Sequence, residues 1–203
     1  MVHDMHAVTA PHPLGTLATI RQGHPFRGAI RAIAEGDVQV IQLKDLTVDA
    51  LRPGVPLLRT VVRARKTPDW VRDQDILIAG RGNHPLAMLL RDPPPATLCS
   101  PHLYVLRVEQ PQQVLPAFLA WQLNQPPAQQ YLRRQSAGSR QRSIRRSVLD
   151  QLPVQVPPLP QQQRIIALAR RVRDEQACLE ALIRNRQQQF AAVAADVLTG
   201  VIA

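Results

Sequence analysis

From Leu14 to Val156 the chain alternates short apolar runs with turn residues. The runs are Leu14 to Ile20, Val38 to Leu43, Leu57 to Arg63, Asp75 to Ala79, Leu86 to Leu90, Leu103 to Val108 and Leu152 to Val156. Each has the length of a strand, and Gly23, Gly28, Gly36, Pro53-Gly54, Gly80, Gly82 and Pro93-Pro94-Pro95 punctuate them. Within this set Leu115, Phe118, Leu119 and Leu123 recur at helical spacing, with Pro116 suited to a first helical turn. Pro126-Pro127 stops that helix and permits a second short one through about Arg134. The pattern predicts an α+β fold: a β-rich domain over 14–156 with a mainly antiparallel or mixed sheet.

Beyond Pro160 the period changes. No glycine or proline intervenes until Gly200, and Ile165, Ala169, Val172, Leu179, Ile183, Phe190, Val193 and Val197 recur at alternating intervals of four and three. Gln176 and Arg186 occupy the two seam positions missing from that series, and polar residues there favour one register and orientation over others. Such a helix is about 58 Å long, more than a domain of this size needs to cover its own core. The expectation is a spacer and dimerisation helix over 157–203 that pairs with another helix as an antiparallel coiled coil. Folding back on its own domain is the competing arrangement. The segment 1–13, polar and rich in histidine and proline, is expected to be a disordered tail without the apolar run of a signal sequence.

Composition narrows the class. The chain has 203 residues, 45% of them hydrophobic, enough for one domain and an appendage. No apolar segment is long enough to cross a bilayer. Cys99 and Cys178 have neither redox nor metal-ligand spacing, which points to reduced thiols and a cytoplasmic location, with Cys178 expected to be buried. The formal net charge is +10, and all the basic residues except Lys44 and Lys66 are arginines. Arginine's planar fork suits bidentate contacts with phosphates and with the guanine edge.

The charge is concentrated. Between Arg133 and Arg146 the chain is rich in arginine and serine and holds no acid, and Gly138-Ser139 breaks the preceding helix. Backbone amides, hydroxyls and guanidinium groups together are the donors that grip phosphates. Catalytic patterns are missing from the sequence. It has no phosphate-binding glycine loop with lysine, no dinucleotide fingerprint and no zinc-ligand spacing among its histidines and cysteines. Asp69, Asp73 and Asp75 lack the downstream partners of a metal-dependent nuclease, and Asp73 and Asp75 read as turn residues before a strand.

The order of these pieces resembles the specificity subunit of type I restriction-modification enzymes, as one target-recognition domain followed by one conserved spacer helix. The resemblance is carried by Leu14-Gly15-Thr16-Leu17-Ala18 with Ile20, Gly23, Phe26 and Gly28; by Asp75 to Ala79 with Arg81-Gly82; and by Ser100 to Leu106. The helix at Pro116 to Leu123, Gly138-Ser139 with Ile144 and Leu149, Pro157-Pro158-Leu159-Pro160 with Gln163, Arg164 and Ile165, and Val197 to Gly200 continue it. Members of that family usually carry two recognition domains and two spacer helices, whereas this chain has one of each and no internal repeat.

The resemblance implies a non-catalytic DNA-binding subunit that reads a half-site of double-stranded DNA and docks DNA methyltransferase subunits and a restriction and translocation subunit. S-adenosylmethionine and ATP would sit on those partners, with no cofactor and no metal here. A half-length chain implies a homodimer reading a bipartite, inverted target, its helix spanning about 17 base pairs at roughly 3.4 Å each. The residues suited to DNA contact form three groups: Arg21, Gln22, His24 and Arg27; Arg81, Asn83 and His84; and Arg134, Ser139, Arg140, Arg142 and Arg145. Loop position and side-chain chemistry assign the first two groups to base edges and the third to phosphates. A structural coiled-coil adaptor and a stand-alone DNA-binding regulator are the alternatives left open.

Overall fold

The computed structural model describes residues 10–48, 50–51, 53–62, 67–82, 85–136 and 143–199. They divide into two compact units, 1–162 and 163–203. A short strand β1 (His12–Pro13) leads through a 3-10 turn into β2 (Ala18–Gln22). Strands β3 (Val38–Ile41), β4 (Leu58–Thr60), β5 (Ile76–Ala79), β6 (Ala87–Leu89), β7 (Thr97–Cys99) and β8 (Leu103–Val108) follow. Helices α1 (Pro116–Leu123), α2 (Pro126–Gln135) and α3 (Arg146–Asp150) precede β9 (Pro153–Val154) and the long α4 (Leu159–Leu198). The fold class is the expected one.

The central sheet has order β2-β8-β5-β6 and is antiparallel throughout. A second sheet, β4-β3-β7, joins an antiparallel pair to a parallel one. β5, Ile-Leu-Ile-Ala, is buried along its whole length because both faces of the central sheet are covered. Ile76 and Ile78 pack with Phe118's neighbours Leu119, Ala120 and Leu123, and with Leu132 and Leu149, on the helical side. Leu77 faces the other way, against Ile41, Met88, Cys99, Leu103 and Val105. Alternation along one strand therefore supplies two cores.

Prolines open both middle helices: Pro116 and Pro126 stand in first turns, where a missing amide leaves no intrahelical bond unmade. The helix α4 likewise carries Pro160 in its first turn. Its opening is tied down by Gln162, which is fully buried. The Gln162 Nε2 donates to the carbonyls of Gln113 (2.8 Å) and Pro157 (2.7 Å), and its Oε1 accepts from the Leu115 amide (2.9 Å).

Three expectations are corrected. His12 and Pro13 are not tail: they pair with Val154 and Pro153 as β1 against β9, because the Leu14 amide also donates to the Leu152 carbonyl (2.9 Å). The first compact unit extends to Gln162, past the boundary expected at 156, since that side chain belongs to its interior. Cys178 is exposed on α4, whereas Cys99 is buried in β7, where desolvation pushes its thiol pKa well up.

Candidate nucleic-acid interface

The three groups of candidate residues come from distant parts of the chain, and strand register brings Gln22, His24, Arg81 and the segment before Arg145 to one rim of the central sheet. In an antiparallel sheet the C-terminal ends of β2 and β5 lie beside the N-terminal end of the strand between them. Gln22 pairs with Tyr104 and Ala79 with Leu103, so the loops after β2 and β5 flank the turn that opens β8.

Backbone bonds lock these loops to that turn. The Gly23 amide donates to Leu103 and the His24 amide to Cys99, both at 2.8 Å, and the Gly80 amide donates to His102 at 2.9 Å. A Cβ at Gly23 would collide with the Ser100 carbonyl, so only glycine permits this approach. The Gln22 Nε2 donates to the Pro101 carbonyl at 2.9 Å. His24 is half-buried and meets Phe26 edge to face, with ring centroids 4.8 Å apart. Arg27 is exposed in the same loop.

Of the third group, Arg145 joins the same rim through the two residues before it. Arg81 and Ser143 form an antiparallel bridge, and the Ile144 amide donates to the Gly80 carbonyl at 2.9 Å. From β8, the Tyr104 hydroxyl donates to the Ile144 carbonyl at 2.9 Å. Burial pushes the pKa of that phenol up, and the nearby charges of Arg146 and Arg81 partly offset the effect. Arg81 and Arg145 are both exposed, as is Arg134 in the last turn of α2. Asn83, His84, Ser139, Arg140 and Arg142 lie outside the described residues.

Arg21 is held by partners inside the domain. Its guanidinium forms an ion pair with Asp69, lies 3.5 Å from Asp75 and donates to the Trp70 carbonyl at 3.2 Å. Asp75, almost completely buried, also accepts a bidentate pair from Arg107 at 2.8 and 2.7 Å and a bond from the Arg72 amide at 2.8 Å. That fork raises the pKa of Arg107 further. Arg21 is thus engaged inside the domain, and Asp75 is both a turn residue and the anchor of an ion cluster. The same pairing accounts for Asp69 and Asp75 without invoking a metal, and among the described residues no group of carboxylates, histidines and cysteines could hold one.

One rim residue was missed. His102 is exposed at the tip of the turn between the two loops, with donor and acceptor atoms suited to base edges. Its motif Ser100-Pro101-His102 was visible, but nothing local distinguished a rim turn from any other.

On α4, Ile165 and Ala169 are half-buried, and Val172, Gln176, Leu179, Ile183, Arg186, Phe190, Val193 and Val197 are exposed. Phe190 is 76% exposed, far from the burial a large aromatic side chain normally finds. Intrahelical pairs Arg170 to Asp174 (4.0 Å) and Glu180 to Arg184 (3.7 Å) lie off the seam. Among the described residues no helix is long and apolar enough to cross a membrane.

A β-rich module followed by one long helix with an exposed apolar seam is the fold of a type I restriction-modification S subunit taken at part length. The chain is similar to the S subunit of the type I restriction-modification system from M. genitalium at 15% identity and a TM-score of 0.59, covering 92% of this chain and 45% of that one. It is similar to the HsdS subunit from Thermoanaerobacter tengcongensis at 17% identity and a TM-score of 0.61, over 88% of this chain and 40% of that one. A third chain, solved in work on complex assembly and conformational transition of the type I R-M system, gives 18% identity and a TM-score of 0.59, over 85% and 43%. The chain thus spans less than half the length of these solved relatives. No protein-family model and no curated protein matches it by sequence.

Proposed function

We propose that this chain is a DNA-sequence specificity subunit of a type I-like restriction-modification system, without catalytic activity of its own. The observation that carries the reading is the convergence of Gln22, His24, Arg81, His102 and Arg145 on one rim of a domain with the S-subunit fold. Exposed arginines there would meet phosphates and guanine edges, and the glutamine and histidines would meet the remaining base edges.

In this reading two copies pair through α4 as an antiparallel coiled coil, so that two recognition domains read inverted half-sites separated by unread base pairs. Methyltransferase subunits, and a restriction and translocation subunit, dock on the dimer and bring S-adenosylmethionine and ATP. The chain acts in the cytoplasm, where its DNA target is.

The test is selection from randomised duplex DNA, run with the chain alone and with a candidate methyltransferase. A bipartite inverted consensus is the expected result. A compact operator-like consensus would indicate a stand-alone regulator, and no enrichment would indicate a structural adaptor.

A further inference from the structure

The two polar residues in the seam of α4 select a single alignment between two copies. We propose that α4 pairs with α4 of a second copy so that Gln176 faces Arg186 across the seam twice, with the two-fold axis at the level of Ala181. The proposal rests on the dimer reading above and adds the register.

In an antiparallel coiled coil each position of one seam class faces the other class on the partner. Heptad spacing puts Ala169, Gln176, Ile183, Phe190 and Val197 in one class, and Ile165, Val172, Leu179, Arg186 and Val193 in the other. Setting Gln176 against Arg186 then sets Leu179 against Ile183, Val172 against Phe190, Ala169 against Val193 and Ile165 against Val197. Every apolar seam residue meets an apolar one, the smallest of them, Ala169, lies opposite a branched side chain, and no layer is left over at either end.

Other alignments do worse. Slipping by one heptad in one direction puts Gln176 against Leu179 and Arg186 against Ala169; slipping in the other puts Gln176 against Val193 and Arg186 against Ile183. Both slips bury a polar or charged group against hydrocarbon. A parallel pair in register stacks Arg186 on Arg186, two like charges inside the seam. Gln176 offers a carbonyl oxygen that Arg186 can donate to, and in the single chain the Arg186 guanidinium already reaches a glutamine, Gln189, at 3.1 Å.

The alignment has a consequence for spacing. It holds the two buried Gln162 anchors about 57 Å apart along the helices, and each heptad slip changes that by about 10 Å, or roughly three base pairs. Pairing Gln176 with Arg186 therefore determines the length of the unread spacer.

The experiment is site-directed oxidative cross-linking of the full-length chain. In a Cys178→Ser background, Gln176→Cys and Arg186→Cys chains carrying tags of different size are mixed and oxidised. The expected product is the mixed disulfide dimer, with little cross-linking of either chain to itself. In parallel, Gln176→Glu should tighten the dimer by about tenfold through two new ion pairs, measured by sedimentation equilibrium. A Gln176→Cys chain that cross-links mainly to itself, or a Gln176→Glu dimer weaker than wild type, overturns the register while leaving the dimer standing. A wild-type chain that sediments as a monomer overturns the dimer reading itself.

Discussion

The Tyr104 hydroxyl donates to the main-chain carbonyl of Ile144, 2.9 Å away. One bond thereby ties the strand at the centre of the larger sheet to the segment that carries Arg145 and Arg146. Both residues are buried, so the bond is made away from water and has no solvent substitute. Arg81 is brought to the same place by its bridge to Ser143, and Gly80 is open to the Tyr104 ring, which a Cβ would approach to 2.8 Å.

Replacing Tyr104 by phenylalanine leaves the ring and strands the Ile144 carbonyl. The domain should lose about 1–2 kcal/mol of stability, read from urea midpoints. DNA affinity should fall because Arg145 is less well held. The slope of log affinity against log salt should stay unchanged, since no charge is removed. Arg81→Ala combined with Arg145→Ala should instead flatten that slope by about 1.8 units. A flattened slope for Tyr104→Phe would refute its role as a positioning residue.

Arg21 and Arg81 should separate cleanly. Arg21→Ala leaves Asp75 with the Arg107 guanidinium and the Arg72 amide and takes the ion pair from Asp69, so it should cost about 1–3 kcal/mol of stability. Folded Arg21→Ala protein should keep wild-type sequence preference. Arg81→Ala removes an exposed side chain whose backbone makes the bridge, so stability should change by less than about 0.5 kcal/mol while DNA affinity falls. Thermal unfolding and gel-shift titration of both variants provide the comparison.

That contrast also shows what could be read from the chain beforehand. The strand positions followed from apolar runs bounded by turn residues, and β8 matches its expected run residue for residue. β7 escaped because Thr97–Cys99 is a three-residue strand directly behind a proline run. α3 escaped because it is five residues long and begins at Arg146, the end of the arginine-rich segment, where composition suggested loop. The basic groups were visible as composition, yet their convergence depends on cross-strand register, such as Gln22 opposite Tyr104, which no local window encodes. The same holds for the contacts of Arg21: its neighbours Gln22 and Gly23 suggested a loop tip, whereas its partners Asp69 and Asp75 come from another part of the chain.

Asp73 gives the fold a local response to acid. Its carboxylate accepts from the Asp92 amide at 3.0 Å and from the Gln74 side chain at 3.1 Å, and the Asp92 bond is the main reason its pKa lies below the ordinary value. A depressed pKa stabilises the fold above the unfolded value of about 3.9, and the contribution disappears as pH falls through the lower, folded value. Asp73→Asn keeps an acceptor oxygen and cannot titrate. Between about pH 5 and pH 3 the urea midpoint of wild type should therefore fall further than that of the variant. Parallel curves would show that the Asp92 bond contributes no pH dependence.

Gln162 is the most consequential single side chain in the first turn of α4. The sequence offers three adjacent glutamines, Gln161, Gln162 and Gln163, and only the middle one is buried. Its amide satisfies the Gln113 and Pro157 carbonyls and the Leu115 amide together. Leu115 is the residue from which α1 starts, so the bond also serves that helix, which has no side-chain cap of its own. Gln162→Ala should leave three main-chain groups without partners and cost about 2–4 kcal/mol, whereas Gln161→Ala and Gln163→Ala should each change stability by less than about 0.5 kcal/mol. Gln162→Glu tests the chemistry apart from the shape: its carboxylate can still accept from Leu115 but faces the two carbonyls without a donor at neutral pH. It should be destabilised nearly as much as the alanine variant and partly recover in acid as the carboxyl becomes protonated and regains a donor. Unfolding midpoints of the four variants at neutral and acidic pH decide the matter, and equal stability across the three glutamines would rule out the anchor.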